Sequence, residues 1–313
     1  MKSLKNHHRL LIFLLLALAL TCVISPWMAL GADWTAARWP DLLEERVPFA
    51  RIFNRAFMIA GITLFIVARR YLISTEIKPL LAVKASTAWQ AFLTGCGLAL
   101  GSMALLLALM TVADVYTPFF RLSLGKSLSR IAGALASGVF VGFMEEIFFR
   151  GLLFVGFLQR GQPLRAYVLA NLFYSALHFV KPGDDYFLDR LDFLAGFRHL
   201  LTTFQPFLEP ATLLPGFIGL FLIGVVLSYA LVRTGHLYLS IGLHAGWIIA
   251  LKTVRVFGDY SRQDLGWLFG ATDPKIVSGV AAWIGILLVG LAITRLTRRG
   301  SQLATGRLPV TAA

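Results

Sequence analysis

The chain has 313 residues, of which 58% are hydrophobic and only 14% are charged, with a formal net charge of +13. Soluble globular proteins carry about one charged residue in four, so this composition excludes an ordinary soluble domain and indicates an integral membrane protein. The basic excess therefore does not indicate nucleic-acid binding, because Lys and Arg of membrane proteins gather in cytoplasmic loops beside anionic lipid. The two cysteines, Cys22 and Cys96, lie in apolar stretches and predict neither a disulfide framework nor a metal site.

Eight apolar stretches are long enough, or nearly so, to cross a bilayer, which takes about 20 residues of helix. In chain order they are 10–30, 56–73, 89–113, 131–149, 166–180, 215–232, 237–251 and 276–296. The first is longer than the apolar region of a signal peptide and has no A-x-A cleavage site, so we interpret it as a retained anchor. The pattern predicts an all-α polytopic membrane bundle of about eight transmembrane helices.

Basic residues are concentrated before the first span, between the second and third, and in the C-terminal tail, whereas segment 184–209 is acidic. The positive-inside rule then places both termini in the cytoplasm. We expect a multi-pass protein of a bacterial inner membrane. Segment 181–214 is too long for a simple connection. Its apolar residues Leu188, Leu191, Leu194 and Phe197 recur at about helical spacing and predict a helix in the membrane interface over residues 188–197. This helix is either a lid over a substrate site or an element packed on the bundle rim.

The ionisable residues well inside the predicted spans are few, and they come from three spans. The fourth span has Glu145 and Glu146 with Arg150 at its end, the fifth has His178, and the seventh has His244. A charged side chain at the centre of a bilayer costs about 2.5–3.5 kcal/mol on insertion scales, so such residues normally face a bundle interior or a wet cavity. We expect these five side chains to line one interior cavity.

Helical geometry separates the two acids. Glu146 and Arg150 are four residues apart with the acid first, the favourable order for an ion pair, which predicts a structural role for Glu146. Glu145 points about 100° away around the helix, and no basic residue lies one turn from it in either direction, so it is the candidate base. No G-x-S-x-G motif is present, which makes an activated water the simplest nucleophile. One histidine can share this water while the other donates a hydrogen bond to an oxyanion.

At these residues the chain resembles the CAAX-protease and bacteriocin-processing family of intramembrane endopeptidases, called the ABI or CPBP family, which includes the type II CAAX prenyl endopeptidases. The family motif E-E-x-x-x-R matches residues 145–150 in full, and F-x-x-x-H is similar to Tyr174–His178, with Tyr in place of Phe. The third motif, a histidine followed four residues later by Asn or a similar polar residue, resembles the sequence at His244, where Ile248 takes the polar position.

The resemblance implies a four-helix catalytic core in which Glu145 and His178 activate a water and His244 helps to hold the oxyanion. Because Ile248 has no donor, Asn171, two turns before His178 on the same helix face, is the candidate second donor. The resemblance covers about residues 131–251. It divides the chain into N-terminal spans (1–130), a protease-like core (131–251), and the last span with a basic cytoplasmic tail (252–313).

We therefore predict an intramembrane endopeptidase that acts on a membrane-anchored protein or peptide, with the lipid bilayer as surroundings, no nucleic-acid partner, and no cofactor or metal. A zinc protease is an alternative, since two His and one Glu can bind zinc, but there is no H-E-x-x-H. A non-catalytic scaffold or immunity protein is the main alternative outside enzymes. A proton-coupled transporter comes third, because such proteins usually show inverted repeats and no internal symmetry is visible here.

Overall fold

The computed structural model describes residues 2–39, 46–72, 77–158, 162–180, 186–262, 264–270 and 276–297. The longer helices are α1 (Lys2–Arg38), α2 (Phe49–Leu72), α4 (Ala85–Val112), α5 (Leu124–Glu146), α7 (Pro163–Leu177), α9 (Pro210–Thr234), α10 (Tyr238–Thr253) and α12 (Val280–Leu296). The short ones are α3 (Lys78–Leu81), α6 (Val155–Leu158), α8 (Ala195–Thr202) and α11 (Gly266–Phe269). A π-helix, Ile147–Phe154, joins α5 to α6, and the short strands β1 (Tyr116–Pro118) and β2 (Gly258–Tyr260) pair antiparallel.

The prediction of an all-α polytopic membrane protein is confirmed. Within the described residues, six helical stretches are long and apolar enough to cross a membrane, and α12 is a shorter apolar helix. The six are Leu11–Arg38, Phe49–Ala68, Ala85–Val112, Leu124–Leu158, Pro210–Thr234 and Tyr238–Val256. The predicted fifth span is helix α7, which has 15 residues, fewer than a membrane crossing normally needs. The count of eight spans therefore stays a prediction, and the tail 298–313 lies outside the described residues.

The chain forms two compact units, of which the first comprises residues 1–73 and 176–213. In it, α1 packs against α2 and α8, and a side chain at Gly196 of α8 would collide with the backbone of Cys22. The interfacial helix predicted between 188 and 197 begins later than expected, at Ala195. The reason is local: the Asp192 carboxylate accepts the amide hydrogen of Leu194 at 3.0 Å and holds the preceding residues in a turn.

The second unit comprises residues 74–175 and 214–313, and α10 packs along both α4 and α5 in its interior. Glycines allow this close approach. A β-carbon at Gly242 of α10 would collide with the carbonyl of Phe92 on α4, and one at Gly142 of α5 would lie 3.0 Å from the amide of Ala245. Small residues at a helix interface let backbones approach closely, which is how membrane helices associate without a hydrophobic driving force.

Both ends of α10 are held by neighbouring segments of the same unit. At its start, the Leu237 amide donates to the Leu80 carbonyl at 3.1 Å, and the Tyr238 hydroxyl donates to the carbonyl of the residue after it, Leu81. At its end, the hydroxyl of Tyr116 in β1 donates to the Val254 carbonyl at 2.8 Å. These bonds set the position of α10 along its axis, and with it the depth of the histidine that α10 carries.

Candidate active site

Two glutamates end helix α5, and the chain continues directly into the π-helix that contains Arg150. Glu146 and Arg150 are fully buried, and Arg150 Nη1 donates to Glu146 Oε1 at 2.9 Å. A second guanidinium nitrogen, Nη2, donates to the Gly224 carbonyl of α9 at 3.3 Å. A π-helix within a longer helix is rare and is frequent at functional sites. Arg150 thus connects the end of α5 to α9 and neutralises a buried carboxylate.

His244 of α10 lies between the two glutamates. Its Nδ1 is 2.8 Å from Glu146 Oε1, a hydrogen bond, and its Nε2 is 3.7 Å from Glu145 Oε2, which is longer than a direct hydrogen bond. An ionised carboxylate can only accept hydrogen bonds, so Nδ1 carries the hydrogen and donates the hydrogen bond to Glu146. Glu146 Oε1 therefore accepts from both Arg150 and His244. The hydrogen bond from His244 was not predicted from the sequence, which indicated only the Glu146–Arg150 pair.

Glu145 differs from Glu146 in exposure. Its side chain is 29% exposed, whereas that of Glu146 is completely buried. The difference follows from the 100° rotation between consecutive helix positions, which turns one acid toward Arg150 and the other away from it. Glu145 is the carboxylate that a water or a substrate can reach.

Asn171 of α7 is buried and connects α7 with α9. Its Nδ2 donates to the Tyr167 carbonyl one turn earlier at 2.8 Å, and its Oδ1 accepts from Ser228 Oγ at 3.2 Å. At Gly224, a β-carbon would stand 2.7 Å from the Asn171 oxygen, so the Asn171 side chain occupies the space that a side chain at position 224 would need. These contacts support a structural role, and the role of Asn171 as an oxyanion donor stays a prediction.

His178 lies in a turn immediately after α7 ends at Leu177, and it is half-buried. It belongs to the first unit, whereas Glu145, Glu146, Arg150 and His244 belong to the second. The structure thus brings four of the five predicted residues together. The prediction that His178 lines the same cavity stays a prediction.

Tyr174 of α7 completes the group around Arg150. The guanidinium carbon is 4.4 Å from the centre of the Tyr174 ring, and the His244 ring meets it edge-on at 6.1 Å. Sequence reasoning noted Tyr174 only as a substitute for Phe in a motif, and the phenol hydroxyl was the signal that it missed. Among the described residues no group of three or more His, Cys, Asp or Glu is arranged to hold a metal ion.

Comparison with known families bears directly on this arrangement. Residues 127–250 match the family model described as type II CAAX prenyl endopeptidase, Rce1-like. This segment is similar to that family. The match confirms the resemblance to the CAAX-protease group, and the Rce1-like segment contains all six predicted site residues. No curated protein and no solved structure matches the chain.

Proposed function

We propose that the protein is an intramembrane endopeptidase that hydrolyses a peptide bond of a membrane-associated protein by means of an activated water. The observation that carries the proposal is the placement of His244 Nε2 beside the half-buried Glu145, while Nδ1 is held by the fully buried Glu146. The Rce1-like segment supports a protease of the CAAX type. A membrane-associated substrate follows from the membrane spans and from the family.

In the proposed reaction Glu145 takes a proton from the water as its oxygen attacks the scissile carbonyl. His244, as an imidazolium, donates from Nδ1 to Glu146 and from Nε2 to the oxyanion. The four groups Glu145, Glu146, Arg150 and His244 then have no net charge, which suits a site away from bulk water. When the intermediate collapses, the proton on Glu145 passes to the leaving amine, so no proton is lost or gained overall.

Two catalytic effects of known size, general-base catalysis and oxyanion stabilisation, support this chemistry. A positioned general base contributes about 10²–10⁴-fold to a rate, and one oxyanion donor contributes about 2.7–4 kcal/mol. Glu146 orients His244 as a buried carboxylate orients the histidine of a catalytic triad, by fixing the tautomer and the direction of the ring. No step requires a metal, although His and Glu are zinc ligands and a zinc protease is the alternative mechanism.

The direct test is cleavage by the purified protein in lipid nanodiscs, using membrane-anchored CAAX-type peptides with and without a prenyl group. We expect the wild type to cleave and Glu145→Gln to lose activity about 10²–10⁴-fold, since the amide cannot accept the proton. Glu209→Gln, at an exposed acid, is the matched control and should cleave normally. A fully active Glu145→Gln variant would refute the proposed function.

A non-catalytic scaffold is the second candidate, and one observation favours it. Ile248, one turn after His244 on α10, places an apolar, half-buried side chain where the resemblance has a polar donor. If the wild type cleaves no peptide in the panel, proteomics of membrane proteins from cells with and without the gene decides between the two. Identical processing in both would favour the scaffold.

We further propose that both termini lie in the cytoplasm of a bacterial cell.

A further inference from the structure

The two-stranded ribbon of the second unit, residues 116–121 paired with 257–260, joins the ends of three candidate membrane spans. One span ends at Val112, before β1, the next begins at Leu124, after β1, and a third ends at Val256, before β2. The headgroup layer of a bilayer begins where the apolar spans end. The ribbon therefore lies at the depth of the lipid headgroups.

The ribbon carries a cluster of exposed aromatic rings. Phe120 is 80% exposed, Phe119 and Phe257 are also exposed, and the rings of Phe120 and Phe257 meet edge-on at 6.1 Å. All three residues lie outside the candidate spans, so the lipid tails that surround a membrane helix do not account for their exposure. Single exposed apolar residues are ordinary, but a cluster marks an interaction surface. Aromatic rings gather at the headgroup level of membrane proteins, which makes the bilayer interface the matching surroundings.

Two arginines share one carboxylate on the same ribbon. Arg121 Nε is 3.3 Å from Asp259 Oδ2, and Arg255 Nε is 4.0 Å from Asp259 Oδ1, which is longer than a hydrogen bond. Both arginine side chains are partly exposed. The two guanidinium groups are neighbours because they flank the same carboxylate, and together the three side chains have one positive charge in excess.

The surrounding segments add to this positive charge. Residues 113–130 and 252–264 include six basic and three acidic side chains. One of the six, Arg262, is paired with Asp264, which accepts from its Nε at 2.7 Å. A guanidinium binds a phosphate group through two parallel hydrogen bonds, and clusters of basic residues beside membrane spans attract anionic lipid. Positive charge next to exposed aromatic rings thus matches a molecule with a phosphate and an apolar body.

We propose that the ribbon binds an anionic phospholipid at the membrane interface. Arg121 and Arg255 hold the headgroup phosphate between them, and Phe119, Phe120 and Phe257 contact the glycerol backbone and the upper part of the acyl chains. A free phosphate would use only the arginines, and a zwitterionic lipid brings a cation of its own and gains less from the excess positive charge. This binding is independent of the proposed proteolysis.

The test compares two lipids with identical acyl chains, phosphatidylglycerol and phosphatidylcholine. Each is titrated into the full chain in neutral detergent, native mass spectrometry counts the bound lipids, and the melting midpoint rises with binding to the folded protein. We expect the wild type to bind phosphatidylglycerol more tightly. Arg121→Gln and Arg255→Gln should each weaken this binding about fivefold, the effect of one basic residue near an anionic surface. Equal binding of the two lipids by the wild type overturns the inference, as does unchanged binding in both variants.

Arg262→Gln is the matched control. It removes the same charge at the same end of the unit, but Arg262 is paired with Asp264, so lipid binding should stay at the wild-type level. An equal loss in Arg262→Gln, Arg121→Gln and Arg255→Gln would assign the attraction to net charge and overturn the ribbon site. The lipid-free melting midpoints should be alike in all of them, because partly exposed ion pairs contribute little to stability.

The aromatic half of the surface and the source of the phosphate are tested separately. Phe120→Ser should weaken phosphatidylglycerol binding and leave the lipid-free melting midpoint unchanged, because the ring is largely exposed. Inorganic phosphate at the lipid concentration should neither raise the melting midpoint of the wild type nor displace bound phosphatidylglycerol. Wild-type affinity in Phe120→Ser, or stabilisation by inorganic phosphate equal to that by the lipid, would show a free-anion site and overturn the inference.

Discussion

Glu146 and His244 form a buried hydrogen bond of 2.8 Å between the end of α5 and the middle of α10. The two residues are 98 positions apart in the chain, and the same Glu146 oxygen accepts from Arg150 at 2.9 Å. The carboxylate therefore makes two interactions: it neutralises the Arg150 guanidinium on its own helix, and it orients the His244 ring on another helix. The ion pair stabilises the fold, and the hydrogen bond positions a residue of the candidate active site.

Replacement of Glu146 should damage stability more than replacement of Glu145. Glu146→Gln leaves the buried Arg150 without its counter-charge, and breaking a buried ion pair costs about 3–5 kcal/mol. Glu145 is partly exposed, so Glu145→Gln should lower the melting midpoint much less. Thermal unfolding of both variants in the same detergent measures the difference. Equal midpoints for the two variants would contradict this assignment of roles.

The close contact between α10 and α4 predicts a specific effect of a single methyl group. In Gly242→Ala the new β-carbon collides with the backbone carbonyl of Phe92, which cannot move aside as a flexible side chain can. We expect a loss of about 1–3 kcal/mol from overpacking and a displaced His244. Gly97→Ala on α4 is the control, because open space surrounds that position, and it should be neutral or gain up to about 1 kcal/mol. Equal free energies of unfolding for Gly242→Ala and Gly97→Ala would contradict the close packing of α10 against α4.

The proposed mechanism uses water without a metal, and chelation tests it. After exhaustive treatment with a zinc chelator, the protein should cleave the peptide of the first assay at its original rate. Activity that is lost to the chelator and restored by zinc would establish the zinc mechanism on the same residues. A chelator-treated Glu145→Gln variant supplies the background rate.

His236, in the turn between α9 and α10, should make stability depend on pH. Burial lowers the pKa of its imidazole below the ordinary value, so the folded protein favours the neutral ring. The contribution of His236 to the free energy of unfolding is therefore fully present above its pKa in the unfolded chain, about 6.5, and is lost as the pH falls below that value. We expect the melting midpoint of the wild type to fall from pH 8 to pH 5 more than that of His236→Gln. Parallel curves would mean that His236 does not contribute.

The sequence alone predicted those features that depend on local spacing. Hydropathy predicted a helix within each of the eight stretches, because apolar runs in a membrane protein must be helical to satisfy their backbone groups. The spacing of Glu146 and Arg150 predicted their ion pair for the same local reason. The start of α8 was predicted too early because the turn at Asp192 competes with helix formation.

Long-range contacts could not be derived from spacing. The local sequence around Glu146 does not show whether His244 would hydrogen-bond Glu146 or Glu145. The choice depends on how α10 packs between α4 and α5. The same limit applied to Tyr174, whose contacts with Arg150 and His244 come from three separate elements. The π-helix was also missed, since its apolar residues are equally suited to an α-helix.

The π-helix Ile147–Phe154 has a consequence for how this region can change in length during evolution. A π-turn holds more residues than an α-turn, so deleting one residue there would restore α-helical bonding and still leave a helix long enough to cross the bilayer. A deletion between Glu146 and Arg150 would nevertheless shorten their spacing from four residues to three, which on an α-helix turns the two side chains about 100° relative to each other. Arg150 could then no longer face both Glu146 and Gly224. Insertions and deletions between these two residues should therefore be harmful even when apolar substitutions there are tolerated.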